Sequence, residues 1–277
     1  MKIFQASSWM PRCSGLLFAV FASVLTAQNS VGVEKFDPNN FPGFVMEEVV
    51  VPVPSEIFSV LDKLGEPNWK DEVNQLVIPN TSNRTELSLI FGVIVAEGFV
   101  AVQAQDKQAI EDIGREVINV ARKLGLEKPV SRHAKSITDA VKQDDWKGVR
   151  REFDQTQATV RAEMERMKDS DLAQCVSLGG WLRGTASVTS VISKNYSADR
   201  SELLNQPNLV EHFMSAISRM PQSTKNNELI SAISQGLTKI RSDMNVPRGV
   251  FSLEKTNSIR NTSDGLLALI LKTNKAK

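Results

Sequence analysis

Residues 87–102, LSLIFGVIVAEGFVAV, constrain the fold of this chain more than any other stretch. Sixteen consecutive positions carry one charged side chain, Glu97. As a helix the run is roughly 24 Å long, short of a hydrocarbon core of about 30 Å. A carboxylate near its middle is also costly in lipid. The run therefore predicts a helix buried on nearly all sides of a helical body, not a membrane span. Such a helix needs neighbours all round it, so the rest of the chain must supply them.

Glu97 then needs a partner. An unpaired buried carboxylate costs several kcal/mol or stays protonated. Gly98 and Ala101 make the C-terminal half of its face small, which predicts close approach by another backbone. A second stretch has a matching oddity. In SLGGWLRGTASVTSV, residues 177–191, Arg183 shares its face with Gly179, Gly180, Ala186, Ser187 and Ser190. Three helical glycines, Gly179, Gly180 and Gly184, cost about 1 kcal/mol each relative to alanine. Close helix packing, or backbone approach to a ligand, would offset that cost. The two small-faced helices are expected to pack together at the centre, with Glu97 and Arg183 as partners. The two are read as an ion pair that sets the register of the bundle, as the lining of a polar ligand pocket, or as residues that do not meet and find separate partners or water.

The remaining pattern is helical. Ser55 opens SEIFSVLDKLG, which stops at Gly65, and Pro67 opens a short helix through PNWKDEVNQLV. Asn83 and Glu86 are spaced as a capping box for the central helix. Asp106 can cap the next helix, which Gly125 ends. A further helix follows through KPVSRHAKSITDAVKQ. The segment after it carries Trp146, Val149, Phe153, Thr156, Val160, Met164 and Met167, a narrow seam on a charged helix. Leu229, Ile233, Leu237, Ile240 and Met244 form a similar seam. The last apolar piece, GLLALILK, reads as a short helix capped near Ser263. Short connections favour antiparallel neighbours. The fold class expected is all-α, a multi-helix antiparallel bundle or helical-hairpin array with an extended N-terminal arm. That arm, residues 28–54, is rich in Pro and Val. Pro52 and Pro54 oppose helix there, and MEEVVV suggests one short edge strand without an evident partner.

The N-terminus has its own character. Lys2 and Arg12 precede a largely apolar run, SGLLFAVFASVL, and Ala27 is followed by polar residues. This is the layout of a secretory signal peptide over residues 1–27, with an uncleaved N-terminal anchor as the alternative reading. The helical domain is expected over 55–272, with a frayed tail at 273–277. Loss of Lys2 and Arg12 reduces 33 basic residues to 31, against 32 acidic ones. That balance argues against nucleic acid as a partner. Cys13 leaves with the leader and Cys175 stands alone, so the expected exported protein, periplasmic or extracellular, is held by its core and not by a disulfide.

The residues that could carry chemistry are few. His133 and His212 have no second metal-type ligand at helical spacing, so neither a metal site nor a cofactor is expected. Each histidine reads as a surface or cap residue. Cys175 reads as a buried, inert thiol. No nucleophile elbow, phosphate loop or dinucleotide fingerprint is present. Two functions are therefore in contention. One is a non-enzymatic binding or interaction protein with a protein or small-molecule partner. The other is an enzyme using a central polar pocket around Glu97 and Arg183.

Overall fold

A computed structural model describes residues 43–46, 49–52 and 54–272 of the chain. The expected signal peptide, most of the arm and the C-terminal tail lie outside the described residues. The architecture is all-α. Helix α1 spans Pro54–Lys63, α2 Arg84–Gln103, α3 Lys107–Leu124, α4 Glu127–Lys142, α5 Trp146–Met167 and α6 Ser170–Lys194. They are followed by a single turn, α7 (Ala198–Ser201), then α8 (Pro207–Arg219), a second turn, α9 (Gln222–Lys225), α10 (Glu228–Asp243) and α11 (Leu253–Ile270).

Two departures from the sequence expectations lie at the N-terminal side. The arm holds two short strands where one was expected. Strand β1 (Gly43–Met46) pairs antiparallel with β2 (Val49–Pro52), with Met46 opposite Val49 and Gly43 opposite Pro52. Pro52 is tolerated because each strand of a two-stranded sheet is an edge strand. The second departure is PNWKDEVNQLV. It forms only a 3-10 turn, Trp69–Glu72, after which residues 73–83 are neither helix nor strand. This strap crosses the central helices, and its backbone is engaged there.

The central helices start and stop for local reasons. The Asn83 side chain accepts the Glu86 N–H at 3.1 Å and Asp106 accepts the Ala109 N–H at 3.0 Å, each satisfying an orphan donor of a first turn. The Glu86 carboxylate does not complete the capping box. It accepts instead from the Thr81 hydroxyl and from Lys272. Gly125 ends α3 with a φ of 82°, a conformation in which a Cβ would be strained.

Helix α2 is enclosed. Leu89, Ile90, Val93, Ile94 and Ala101 have no solvent exposure at all. By length and composition this helix could cross a bilayer, yet its apolar surface is turned into the bundle. Each Leu, Ile, Val or Phe so buried contributes about 1.5–3 kcal/mol. The helices lie in an array, with α3 beside α2, α4 beside α3 and α5 beside α4. On the other side α6 packs on α2, α11 on α6, and α10 on α11.

The α2–α6 contact is the most extensive between any two elements, and its direction is informative. Arg84 at the start of α2 bonds Asp169, the residue before α6, while Glu97 further along α2 bonds Arg183 further along α6. The two helices therefore run parallel. Helix α11 runs against them, since Lys272 just past its end reaches Glu86 near the start of α2. Helix α11 also begins at Leu253 with Ser252 as its cap, well before the expected start near Ser263.

Helix α1 is fixed to α2 and α5 through rings. Phe58, Phe99 and Phe153 form a cluster with centroids 4.8–5.9 Å apart. The Arg150 guanidinium lies over the Phe58 ring at 4.6 Å and forms a two-point bond to Asp62 at 2.8 and 3.0 Å. That bond holds the Asp62 carboxyl below its usual range.

The glycines of the central pair have different tasks. A methyl on Gly92 would overlap the Val176 carbonyl oxygen, and one on Gly179 would overlap the Leu89 carbonyl oxygen. A methyl on Gly180 would touch the Gly92 carbonyl oxygen at 3.4 Å. These positions let two backbones meet. Gly98 does not, since a methyl there would meet the Phe153 ring instead, and Gly184 faces open space. The three glycines of α6 are thus not alike, and only Gly179 is required by the close approach of the backbones. Gly184→Ala is expected to raise stability by about 0.5–1 kcal/mol. Gly179→Ala is expected to lower it by about 1–3 kcal/mol through overpacking. Urea unfolding of the two variants checks both signs, and a Gly184→Ala chain less stable than the wild type contradicts this account of that glycine.

Candidate functional site: a buried ion pair under a backbone strap

The structure brings Glu97 and Arg183 together. Arg183 Nε donates to Glu97 Oε2 at 2.6 Å, and Arg183 Nη2 donates to Glu97 Oε1 at 3.2 Å. This is the two-point guanidinium–carboxylate geometry that is stronger and more directional than a single bond. Both side chains are sealed from solvent, at 0% exposure for Glu97 and 4% for Arg183.

Other groups complete the arrangement. Arg183 Nη1 donates to the Ser187 hydroxyl, one helical turn along α6. Arg183 Nη2 also donates to the backbone carbonyl of Glu72 at 2.6 Å. The backbone N–H of Asn74 donates to Glu97 Oε1 at 2.7 Å. The Glu72 side chain, itself buried, accepts from Ser190 at 3.2 Å and from Lys194 at 2.5 Å. Arg183, Ser187, Ser190 and Lys194 follow one another at helical spacing, so a single stripe of α6 holds the whole network. Formal charges cancel across Glu97, Arg183, Glu72 and Lys194.

Sequence reasoning found two members of this network and missed the others. Glu72 and Asn74 belong to a segment read as helix, and they meet the ion pair through backbone groups, which carry no residue signature. Small hydroxyl residues in mid-helix commonly bond their own helix carbonyls. Thr189 does so, to Thr185 at 2.6 Å, but Ser190 bonds the Glu72 carboxylate and Ser187 accepts from Arg183.

The arrangement is chemically self-contained. Both Glu97 oxygens accept bonds, and neither touches solvent. A general base must come within hydrogen-bond reach of a substrate proton, and in this geometry Glu97 is reached only by the chain's own groups. Two surface hollows lie elsewhere. One, of about 250 Å³, is bordered by Arg84, Lys168, Asp169, Asp171, Cys175 and Thr224 among others. A shallower one, of about 500 Å³, is bordered by Asn80, Thr81, Ser82, Leu87 and Lys123. Neither border includes Glu97 or Arg183.

The histidines are not surface residues. His133 lies between α4 and α5, with Nδ1 3.1 Å from Glu152 Oε2 and Nε2 2.9 Å from Thr159 Oγ1. A hydroxyl–imidazole–carboxylate series has the outline of a nucleophile relay. Thr159 is in mid-helix, however, where the neighbouring N–H groups are held in the helix ladder and cannot serve an oxyanion. His212 is buried and its Nε2 is 2.9 Å from Gln174 Oε1. Among the described residues no group of three His, Cys, Asp or Glu side chains gathers in a way that could hold a metal ion.

Cys175 is buried on α6, and its thiol is pushed up to about 12, first by burial and then by the negative charge of Asp171. The thiolate is the reactive form. Iodoacetamide at pH 8 is therefore expected to leave Cys175 unmodified in the folded protein and to label it in urea, as read by peptide mass mapping.

The ion pair makes a separate prediction. Arg183→Met leaves Glu97 charged and buried and is expected to cost about 3–5 kcal/mol, with a comparable loss for Glu97→Gln. The double variant should lose less than the sum of the two, yet remain below the wild type, because the Glu72 carbonyl keeps no donor. Urea unfolding of all four proteins gives the coupling. Strictly additive losses would contradict the geometry. No family model, curated protein or solved structure matches the chain, so its own residues carry the functional reading.

Proposed function

We propose that this is an exported helical binding protein, and that its central charges hold its own fold and do not perform a reaction. The observation that carries this reading is the closure of the Glu97–Arg183 pair. Each member is sealed from water and bonded to the other and to the strap. An active site needs an unsatisfied group aimed at a space where a reacting atom can sit. Glu97 and Arg183 have their hydrogen-bonding groups engaged by the chain itself. Binding through a surface makes no such demand. The start of the chain supports export, since its basic, apolar and small-residue regions follow in the order of a cleavable leader.

The test uses the protein recovered from its native exported fraction after mild cross-linking. The expected result is a specific macromolecular partner, retained in stoichiometric amount, on a chain whose intact mass begins at Gln28. The enzyme reading is favoured instead by one outcome. That outcome is a chain recovered free that turns over a small molecule, with turnover lost in a folded Glu97→Gln variant.

A further inference from the structure

The strap meets the ion pair with its backbone alone. Arg183 donates to the carbonyl of Glu72, and Glu97 accepts from the N–H of Asn74. These two groups flank Val73, whose backbone is extended (φ −76°, ψ 124°). A carbonyl before and an amide after one extended residue are the groups that a neighbouring parallel strand pairs. The guanidinium supplies the donor of that absent strand and the carboxylate supplies its acceptor. Both bonds involve a charged group, so each is stronger than an ordinary amide–amide bond. The pair thus recognises a stretch of extended main chain independently of its side chains.

The strap is fastened unevenly. Trp69 is buried, and the Glu72 carboxylate is tied to Ser190 and to Lys194, whose side chain is 53% exposed. Beyond Asn74 the strap is held by side chains, with Leu76 and Ile78 against the core and Thr81 bonded to Glu86. Through residues 75–82 no backbone group makes a backbone hydrogen bond to another described residue. Val77 is 70% exposed, and the shallow hollow borders Asn80 to Ser82. One end of the strap is pinned at the ion pair, and the other rests Leu76 and Ile78 against the core while turning Val77 to solvent.

We infer that Glu97 and Arg183 form a peptide-backbone reading site, that residues 72–74 are its built-in occupant, and that the partner is a protein presenting an extended segment that takes the strap's place. This deepens, and rests on, the reading of the protein as a binding module. Main-chain bonds of this kind are the source of affinity whenever an extended peptide joins a fold as an added strand. The exchange is balanced because the incoming carbonyl and amide restore the two bonds that the strap gives up. The internal strap holds the advantage of tethering, equivalent to a millimolar effective concentration. The Glu72 carboxylate adds to that advantage, so Glu72 controls release.

The test is fluorescence anisotropy with a labelled peptide of residues 67–80, PNWKDEVNQLVIPN, against the full chain and its Glu72→Ala variant. The variant's own strap lacks the bonds to Ser190 and Lys194, whereas the peptide keeps them. The peptide is expected to bind Glu72→Ala at least about tenfold more tightly than the wild type. Methylating the peptide's Asn74 amide nitrogen should weaken binding about tenfold or more, the loss of one hydrogen bond to a charged group. Hydrogen exchange at the Asn74 amide should be about tenfold faster in the variant. Unchanged exchange overturns the latch role of Glu72. Faster exchange without peptide binding, or binding indifferent to methylation, overturns the site. Should Glu72→Ala fail to fold, Lys194→Met removes the outer fastening at an exposed position and serves in its place. A native partner whose binding ignores excess peptide would leave the binding-module reading standing and overturn this one.

Discussion

The bond between Glu97 and Arg183 is the constraint on which the rest of the structure depends. Helix α2 is apolar or small on every face, so packing alone does little to fix its rotation or its position along its axis. Its one buried charge does both, because only one register brings a carboxylate at position 97 onto a guanidinium at position 183. The glycine contacts upstream set the separation. Gly92 and Gly179 bring the two backbones together, and a methyl at either would push α6 away. A buried ion pair is weak evidence for stability as such, and fixing a register is its best-attested use. In this bundle the small residues set the distance and the charges set the alignment.

The parallel course of α2 and α6 follows from the chain between them. Helices α3, α4 and α5 lie between the two, and each short connection turns the chain back. Four reversals return it to its first direction. The starts of α2 and α6 therefore lie at the same end of the bundle, where Arg84 meets Asp169. Helix α11, running against both, carries Lys272 to Glu86 at that end. A fold built of antiparallel neighbours thus acquires a parallel pair at its centre, and that pair holds the buried charges.

Much of this was legible before any coordinates. The apolar run with one carboxylate, and the small-residue helix with one guanidinium, each pose a problem that the other solves. Caps at Asn83, Asp106 and Gly125 stand where their side chains or missing side chain require them. What was illegible has physical reasons. Residues 67–77 have the composition of a short helix, but two of their backbone groups are claimed by Arg183 and Glu97, and tertiary bonding outweighs local propensity. The start of α11 is hidden because its inward face carries Thr256 and Ser263 among its few apolar residues, so the usual apolar stripe is missing. The partners of His133 lie on the following helix, far outside the spacings that a local search compares. The roles of Gly98 and Gly184 depend on which neighbour each faces, and residue type alone does not specify that.

The chemistry of the strap bears on why the centre of the bundle is charged at all. Two apolar residues of similar size could fill the space between α2 and α6 and avoid the desolvation of two ions, an exchange that is often neutral or favourable in other proteins. In this chain the exchange would orphan the Glu72 carbonyl and the Asn74 amide, each worth about 1–3 kcal/mol when buried without a partner. The helices on either side cannot supply replacements, because their own backbone groups are held within their ladders. A side-chain donor and a side-chain acceptor, adjacent and oppositely charged, satisfy an extended segment laid across two helices while neutralising each other. The ion pair and the strap are therefore one device. The pair makes the crossing possible, and the crossing seals the pair from water.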